Sequence, residues 1–363
     1  MNYRSARNDR RAPRVFLFFL LSSVLLLSAG CVISPRRIIG GGGSDAGPTP
    51  TGSPSPTPSG APGKLYVTNI NNNSIMRFDN ASTADGNLAP AAVISGAATQ
   101  IIAPRHIFVD GAADRLFVAN QGDVLVFDSA STKSGNAAPS RSISGAATGI
   151  ASPVDVAVDD TKDLLYVADT RDVFVFTSAS TVNGNAPFGH DIQAGFIISA
   201  MYLDSANDRL FLADSAANSI NVYDGASGLN GRVAPSRSIN GASTQLNQPS
   251  GLAVDVVNKL IVSNAGSNTI TVYINAGATN GNATPAFVIT GASTTLNGPS
   301  QIAVNRSSTP VELFVANTNG ANVPIFSDLG SKSGNVNPSR NVAGSSTTLA
   351  TGGVHGIALD TTR

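Results

Sequence analysis

Short apolar runs, each closed by Asp, Asn, Gly or Pro, follow one another from residue 64 to the C-terminus with a period of roughly fifty residues. The fullest copy occupies residues 250–294. Four kinds of run recur. The first ends in Asp or Asn and occurs six times: HIFVD at 106–110, VAVD at 156–159, MYLD at 201–204, LAVD at 252–255, IAVN at 302–305 and IALD at 357–360. The second also occurs six times: KLYVTN at 64–69, RLFVAN at 115–120, LLYVAD at 164–169, RLFLAD at 209–214, KLIVSN at 259–264 and ELFVAN at 312–317. A third kind includes SIMRFD, VLVFD and TITVYI, and a fourth surrounds AVISG, RSISG and FVITG. Each run alternates or is rich in β-branched and aromatic residues between turn formers, so each reads as a β-strand.

Four consecutive strands make one antiparallel blade. Between the third and fourth strands stand Asp85-Gly86, Ser134-Gly135, Asn183-Gly184, Asn230-Gly231, Asn280-Gly281 and Ser333-Gly334, where glycine is expected to supply the positive φ of a tight hairpin. Six blades of this size predict an all-β fold over residues 64–363, a six-bladed β-propeller, because radial repetition leaves only short protected edges. The chain enters on a second-type strand at Lys64 and ends on a first-type strand at 356–360. Neither end holds a full blade, so the two ends are expected to share one and close the ring. No tryptophan is present, and the core falls to Val, Ile, Leu, Phe and Tyr.

Charge narrows the partners. Lys plus Arg and Asp plus Glu number 23 each, and charged residues make up only 13% of the chain, which argues against nucleic acid. One cysteine, Cys31, allows neither an internal disulfide nor a multi-thiolate metal site. No cofactor is expected.

The first 63 residues have a different character. An arginine-rich stretch, residues 1–14, precedes the apolar run VFLFFLLSSVLLL at 15–27, which is shorter than the ~20 residues of a membrane-spanning helix and reads as a signal peptide. Ser28-Ala29-Gly30-Cys31 resembles the lipobox of bacterial lipoproteins, with Ser28 where leucine is usual. That resemblance implies removal of residues 1–30, lipidation of Cys31 and anchoring to the bilayer in the cell envelope. Val32 in place of aspartate favours the outer membrane or cell surface. Residues 31–63, rich in Gly, Pro, Ser and Thr, bury too little apolar surface to fold and read as a disordered tether.

The succession GLAVD, LIVSN and SNTITVY at 251–273 resembles the NHL-repeat propellers over residues 64–363. The resemblance weakens in the third blade, where residues 193–199 replace the GAST-x-L-x-x-P linker. It implies the ring architecture; relatives of this fold include protein-binding, RNA-binding and lyase or lactonase-like members, so chemistry has to come from the site.

In a propeller the first strands line the axis. The residues that open them are Arg105-His106, Val154-Asp155, Ser199-Ala200, Ser250-Gly251, Ser300-Gln301 and His355-Gly356. Arg105, His106, Asp155, Gln301 and His355 are the candidate ligand-binding positions at the channel mouth, and His106 and His355 the candidate catalytic ones, as acid and base or as metal ligands. The competing view makes both histidines solvated channel residues. Repeated Asp110, Asp159, Asp204, Asp255 and Asp360 read as turn caps rather than calcium ligands. Arg141, Arg237 and Arg340 read as outer-strand surface charges, and His190 has no assigned site. Two functions follow: a non-catalytic, envelope-anchored binding or scaffold propeller that recognises a protein or glycan through its loop faces, or a propeller hydrolase or lyase at the channel mouth.

Overall fold

In the computed structural model, which describes residues 63–363, the chain forms six four-stranded antiparallel sheets. The signal-peptide and tether readings lie outside the described residues. Blade 1 is ordered Val354–Asp360, Lys64–Asn69, Ser74–Asp79, Ala92–Ser95 from axis to rim. Blades 2 to 6 each take four strands in succession, beginning at Ile107–Asp110, Pro153–Asp159, Ile198–Asp204, Pro249–Val254 and Pro299–Asn305. These innermost strands contact their neighbours in a closed cycle around the axis. The fold is the expected six-bladed propeller, all-β, with three-residue 3-10 turns as the only helical elements among the described residues.

Closure is made by the chain's own ends. Lys64 pairs with Asp360, Leu65 with Leu359, Tyr66 with Ala358 and Val67 with Ile357, all antiparallel.

Period-two alternation decides where side chains go. In strand Leu164–Asp169, Leu165 and Val167 enter the core between blades 2 and 3, while Leu164, Tyr166 and Ala168 enter the core between blades 3 and 4. Six clusters fill the six interfaces in this way. Both faces of a blade are therefore buried, which explains strands that are apolar at consecutive positions rather than at every second one.

The X-Gly pairs correct the sequence reading. Their glycines do have positive φ, from 62° at Gly281 to 81° at Gly334, but they do not sit in tight hairpins. Strand three of blade 1 ends at Asp79 and strand four begins at Ala92, and within the long connection Gly86 bridges in parallel to Val342 of blade 6. The Gly86 amide donates to Asn341 O (2.9 Å), and Ala343 N–H donates back to Gly86 O (3.0 Å). The same bridge recurs at each interface, so these glycines staple one blade to the rim of the one before.

The residue after five of these six glycines adds a second staple. Asn136 Oδ1 accepts from Ala98 N–H (2.7 Å) in the 3-10 turn of blade 1, and Asn87, Asn185, Asn282 and Asn335 do the same elsewhere. A Cβ at Gly96 would lie 2.5 Å from Asn136 Oδ1, so that turn must begin with glycine. Blade 3 lacks the turn, and residue 232, which would cap it, is arginine. The two departures are one: without a turn to cap, the asparagine has no partner.

The outer-strand arginines also differ from expectation. Arg141 Nη1 donates to Ala179 O (2.9 Å) and Val182 O (3.1 Å) of blade 3, and Arg340 Nη1 donates to Ala81 O (2.8 Å) and Ala84 O (2.9 Å) of blade 1. Arg340 also pairs with the buried carboxylate of Glu312 (2.5 Å). Arg237 bonds to Asp224 within its own blade (2.7 Å). All three are largely buried rather than free surface charges; for Arg141 and Arg340 the reason is that a loop carbonyl turned away from water needs a donor and a long guanidinium crosses the interface to provide it.

Candidate functional site

The positions that open the innermost strands converge on the axis as expected, and they meet one another. His106, buried in blade 2, has Nδ1 2.9 Å from Asp155 Oδ2 of blade 3. The same carboxylate accepts from Met201 N–H of blade 4 (2.8 Å) and, through Oδ1, from Val156 N–H (2.9 Å). Three nitrogens converging on one buried carboxylate fix its direction. Gln301 of blade 6 reaches across the axis: Oε1 accepts from Ile107 N–H (3.1 Å) and Ile357 N–H (2.7 Å), and Nε2 donates to Ile107 O (2.9 Å).

The hydroxyl of Ser300 lies 3.4 Å from His106 Nε2 and 3.4 Å from His355 Nδ1. The two imidazole rings are 5.3 Å apart. Side chains from four blades, with the Met201 amide of a fifth, thus form a hydrogen-bonded plug. His106 is 1% exposed and Asp155 2%, so His106 is not a solvated channel residue. Arg105 takes part through its backbone, its carbonyl accepting from Thr68 Oγ1 (3.0 Å).

Sequence reasoning missed the hydroxyls that join neighbouring first strands. Ser199 Oγ donates to Pro249 O (2.7 Å), Ser250 Oγ to Pro299 O (2.6 Å) and Ser263 Oγ to Ser300 O (2.6 Å). A signal was present. Thr68 and Ser263 occupy the second-strand position that is alanine in the other four blades, opposite Gly356 and Gly251 on the first strand. A Cβ at Gly251 would lie 2.3 Å from Ser300 O and 2.7 Å from Ser263 Oγ, and one at Gly356 would meet Arg105 O at 2.2 Å and Thr68 Oγ1 at 2.9 Å, so the glycine makes room for the neighbouring strand's carbonyl and for the hydroxyl bonded to it.

Four of the five aspartates behave as caps, while Asp204 caps no backbone N–H and accepts instead from Asn207 Nδ2 (2.8 Å). Asp110 Oδ1 accepts from Ala113 N–H, Asp159 from Thr161 N–H, Asp255 from Val257 N–H and Asp360 from Thr362 N–H, each near 3 Å. Among the described residues no group of three or more His, Cys, Asp and Glu could hold a metal ion. His190 lies on the outer strand of blade 3, away from the axis.

Burial pushes the His355 imidazole down to about 3, with the nearby His106 and Arg105 adding to the effect. A free imidazole titrates near ~6.5, so His355 is neutral in the fold and takes up a proton on unfolding below that pH. Its contribution to stability is complete above about pH 6.5 and is lost as pH falls toward 3. Between pH 6.5 and 5 the loss is on the order of 2 kcal/mol. His355→Asn is expected to remove that part of the pH dependence. Urea midpoints of both proteins at pH 7 and pH 5 check this, and equal slopes would contradict it.

A cavity of the channel lies away from the end where the strands begin. It lies beyond the plug, where the innermost strands end, with Asp155 and Gln301 at its floor. The plug closes the expected mouth because its side chains satisfy one another across the axis.

No protein-family model matches this chain, and no curated protein matches it. Solved structures do. A chain of a nidogen/laminin complex superposes with a TM-score of 0.56 at 13% identity, over 82% of this chain and 98% of that one. A functionally unknown protein from Desulfotomaculum acetoxidans gives 0.52 at 13% identity, over 77% and 79%. The likeness is one of fold. At this identity it carries no residue roles, and function rests on the geometry of the axis.

Proposed function

We propose that the protein is a non-catalytic binding or scaffold propeller, held in the bacterial cell envelope by a lipid on Cys31 and recognising a protein or glycan through its loop faces. The observation that supports this is the bonding of the axis: His106, Asp155 and Gln301 are spent on one another and on neighbouring strand backbone. Asp155 accepts three donors and Gln301 makes three bonds to neighbouring strands, an arrangement suited to holding six blades rigidly. The nidogen/laminin neighbour, a propeller found in a protein complex, is consistent with such a role. On this reading the blades are NHL-type repeats, and residues 31–63 form a leash that holds the ring roughly 30 Å from the bilayer, at about 5–6 Å times the square root of its length.

Cys31→Ser is expected to move the protein from the membrane to the soluble fraction with its fold intact. Unchanged membrane association would remove the anchor from the reading. The binding role is tested by chemical cross-linking of the full chain in its own envelope followed by mass spectrometry of the adducts. A reproducible protein or glycan partner supports the proposal, and its absence at several cross-linker lengths would count against it.

A further inference from the structure

Beyond the plug the channel opens into a blind well of about 490 Å³, a volume typical of ligand sites. Its mouth lies where the innermost strands end, among Thr161, Ser205 and Arg306 of the turns between first and second strands and Thr361 just after the last strand. The side chains of the innermost strands do not fill it. Leu252 and Val254 enter the core between blades 4 and 5, and Ala253 enters the core between blades 5 and 6. With side chains turned into the interfaces, the free main-chain edges of the innermost strands face the axis.

The plug shows what those edges bind. Ile107 and Ile357 give their N–H groups to the Gln301 amide, Ile107 accepts from it, and Met201 gives its N–H to the Asp155 carboxylate. Backbone direction repeats every second residue along a strand. Val109, Leu359 and Leu203, two residues nearer the mouth and all lining the well, therefore turn the same groups to the axis. Among the described residues no side chain is hydrogen-bonded to these three. The well repeats the hydrogen-bonding layer of the plug without its filling.

We propose that this well binds the free amino end of an extended polypeptide, whose main-chain amides pair with the strand edges as the Gln301 amide does one layer deeper. The well is closed at one end, so a chain enters it by a terminus. Asp155 at the floor attracts an ammonium and repels a carboxylate, which selects the amino end. Arg306 and Asp160 carry opposite charges at the mouth and leave that preference standing. Arg306 is held there by the Tyr202 hydroxyl and Val254 O. The proposal gives the binding reading a ligand class yet requires neither the tether nor a loop-face partner. It can stand if envelope cross-linking finds no partner, and that reading can stand if the well binds nothing.

The test uses the purified full chain and a random-sequence hexapeptide library with free amino ends, compared with the same library N-acetylated, with retained peptides quantified by mass spectrometry. Retention of the free-amine library is expected to exceed that of the acetylated one by about tenfold or more. Ser205→Trp and Thr361→Trp each narrow the mouth without touching the plug, and each is expected to lower retention about tenfold with an unchanged thermal midpoint. If one variant is unstable, the other decides. No retention by the wild-type chain, equal retention of the two libraries, or retention indifferent to a folded mouth variant would each overturn the proposal.

Discussion

Deleting residues 354–363 is expected to abolish cooperative folding rather than trim a tail. That segment supplies the innermost strand of blade 1, and with it the only pairing between the two ends of the described chain within one sheet. Val354 is fully buried and Ile357 1% exposed, in the core between blades 1 and 6. Two such side chains contribute roughly 1.5–3 kcal/mol each, and each lost ladder hydrogen bond adds about 1 kcal/mol. The sum is on the order of the 5–15 kcal/mol that holds a whole domain together. The deletion also exposes the inner edge of Lys64–Asn69 and frees one bond of Gln301. Deleting only residues 361–363 loses the Arg363 ion pairs to Asp114 and Asp360 but leaves the strand, and is expected to cost about 1 kcal/mol. Urea unfolding followed by circular dichroism distinguishes the two. A midpoint for the longer deletion equal to that of the full chain would refute closure.

Asp155→Ala is the second large effect, at about 3–5 kcal/mol of lost stability. The variant leaves His106 Nδ1, Met201 N–H and Val156 N–H facing a void, with His106 still buried. The sign matters as much as the size. Active-site groups are often held at some expense of stability, so replacing a catalytic aspartate tends to leave a protein as stable or more so. A group that fastens blades together does the opposite. A rise in the urea midpoint of Asp155→Ala would favour the catalytic view of His106 and His355, and a large fall supports the plug.

Much of the architecture could be read from the chain because it repeats. The first- and second-type strands, the number of blades and the shared blade at the ends all follow from short-range patterns in which each copy confirms the others. The misreadings concern contacts between blades. Gly86 and its five counterparts were legible as positive-φ positions, but nothing local shows that the partner of Gly86 is Val342, on the opposite end of the chain. Arg141 and Arg340 look like ordinary strand-edge charges until the neighbouring blade brings loop carbonyls within reach.

The axis is a similar case. Strand register placed His106, Asp155, Gln301 and His355 at one level, and the structure keeps them there. What the sequence could not show is that the channel is narrow enough for them to reach one another. Sites facing open solvent became partners in a plug, and the open space moved to the other end of the strands. The departure of blade 3 was visible at residues 193–199, while its structural complement, Arg232 in place of a capping asparagine, is understood only when blades 3 and 4 are seen side by side.

Native-state hydrogen exchange at the amides of Ile107, Met201 and Ile357 tests most directly whether the axial residues lock the six blades together. Each of these N–H groups is bonded to a side chain from another blade. If the plug is the joint that holds the ring, all three exchange only through global unfolding, with the same free energy that denaturant titration gives for the whole propeller. Exchange of these amides through a local opening well below that free energy would show that the axis moves independently of the ring, and would contradict a structural role for His106, Asp155 and Gln301.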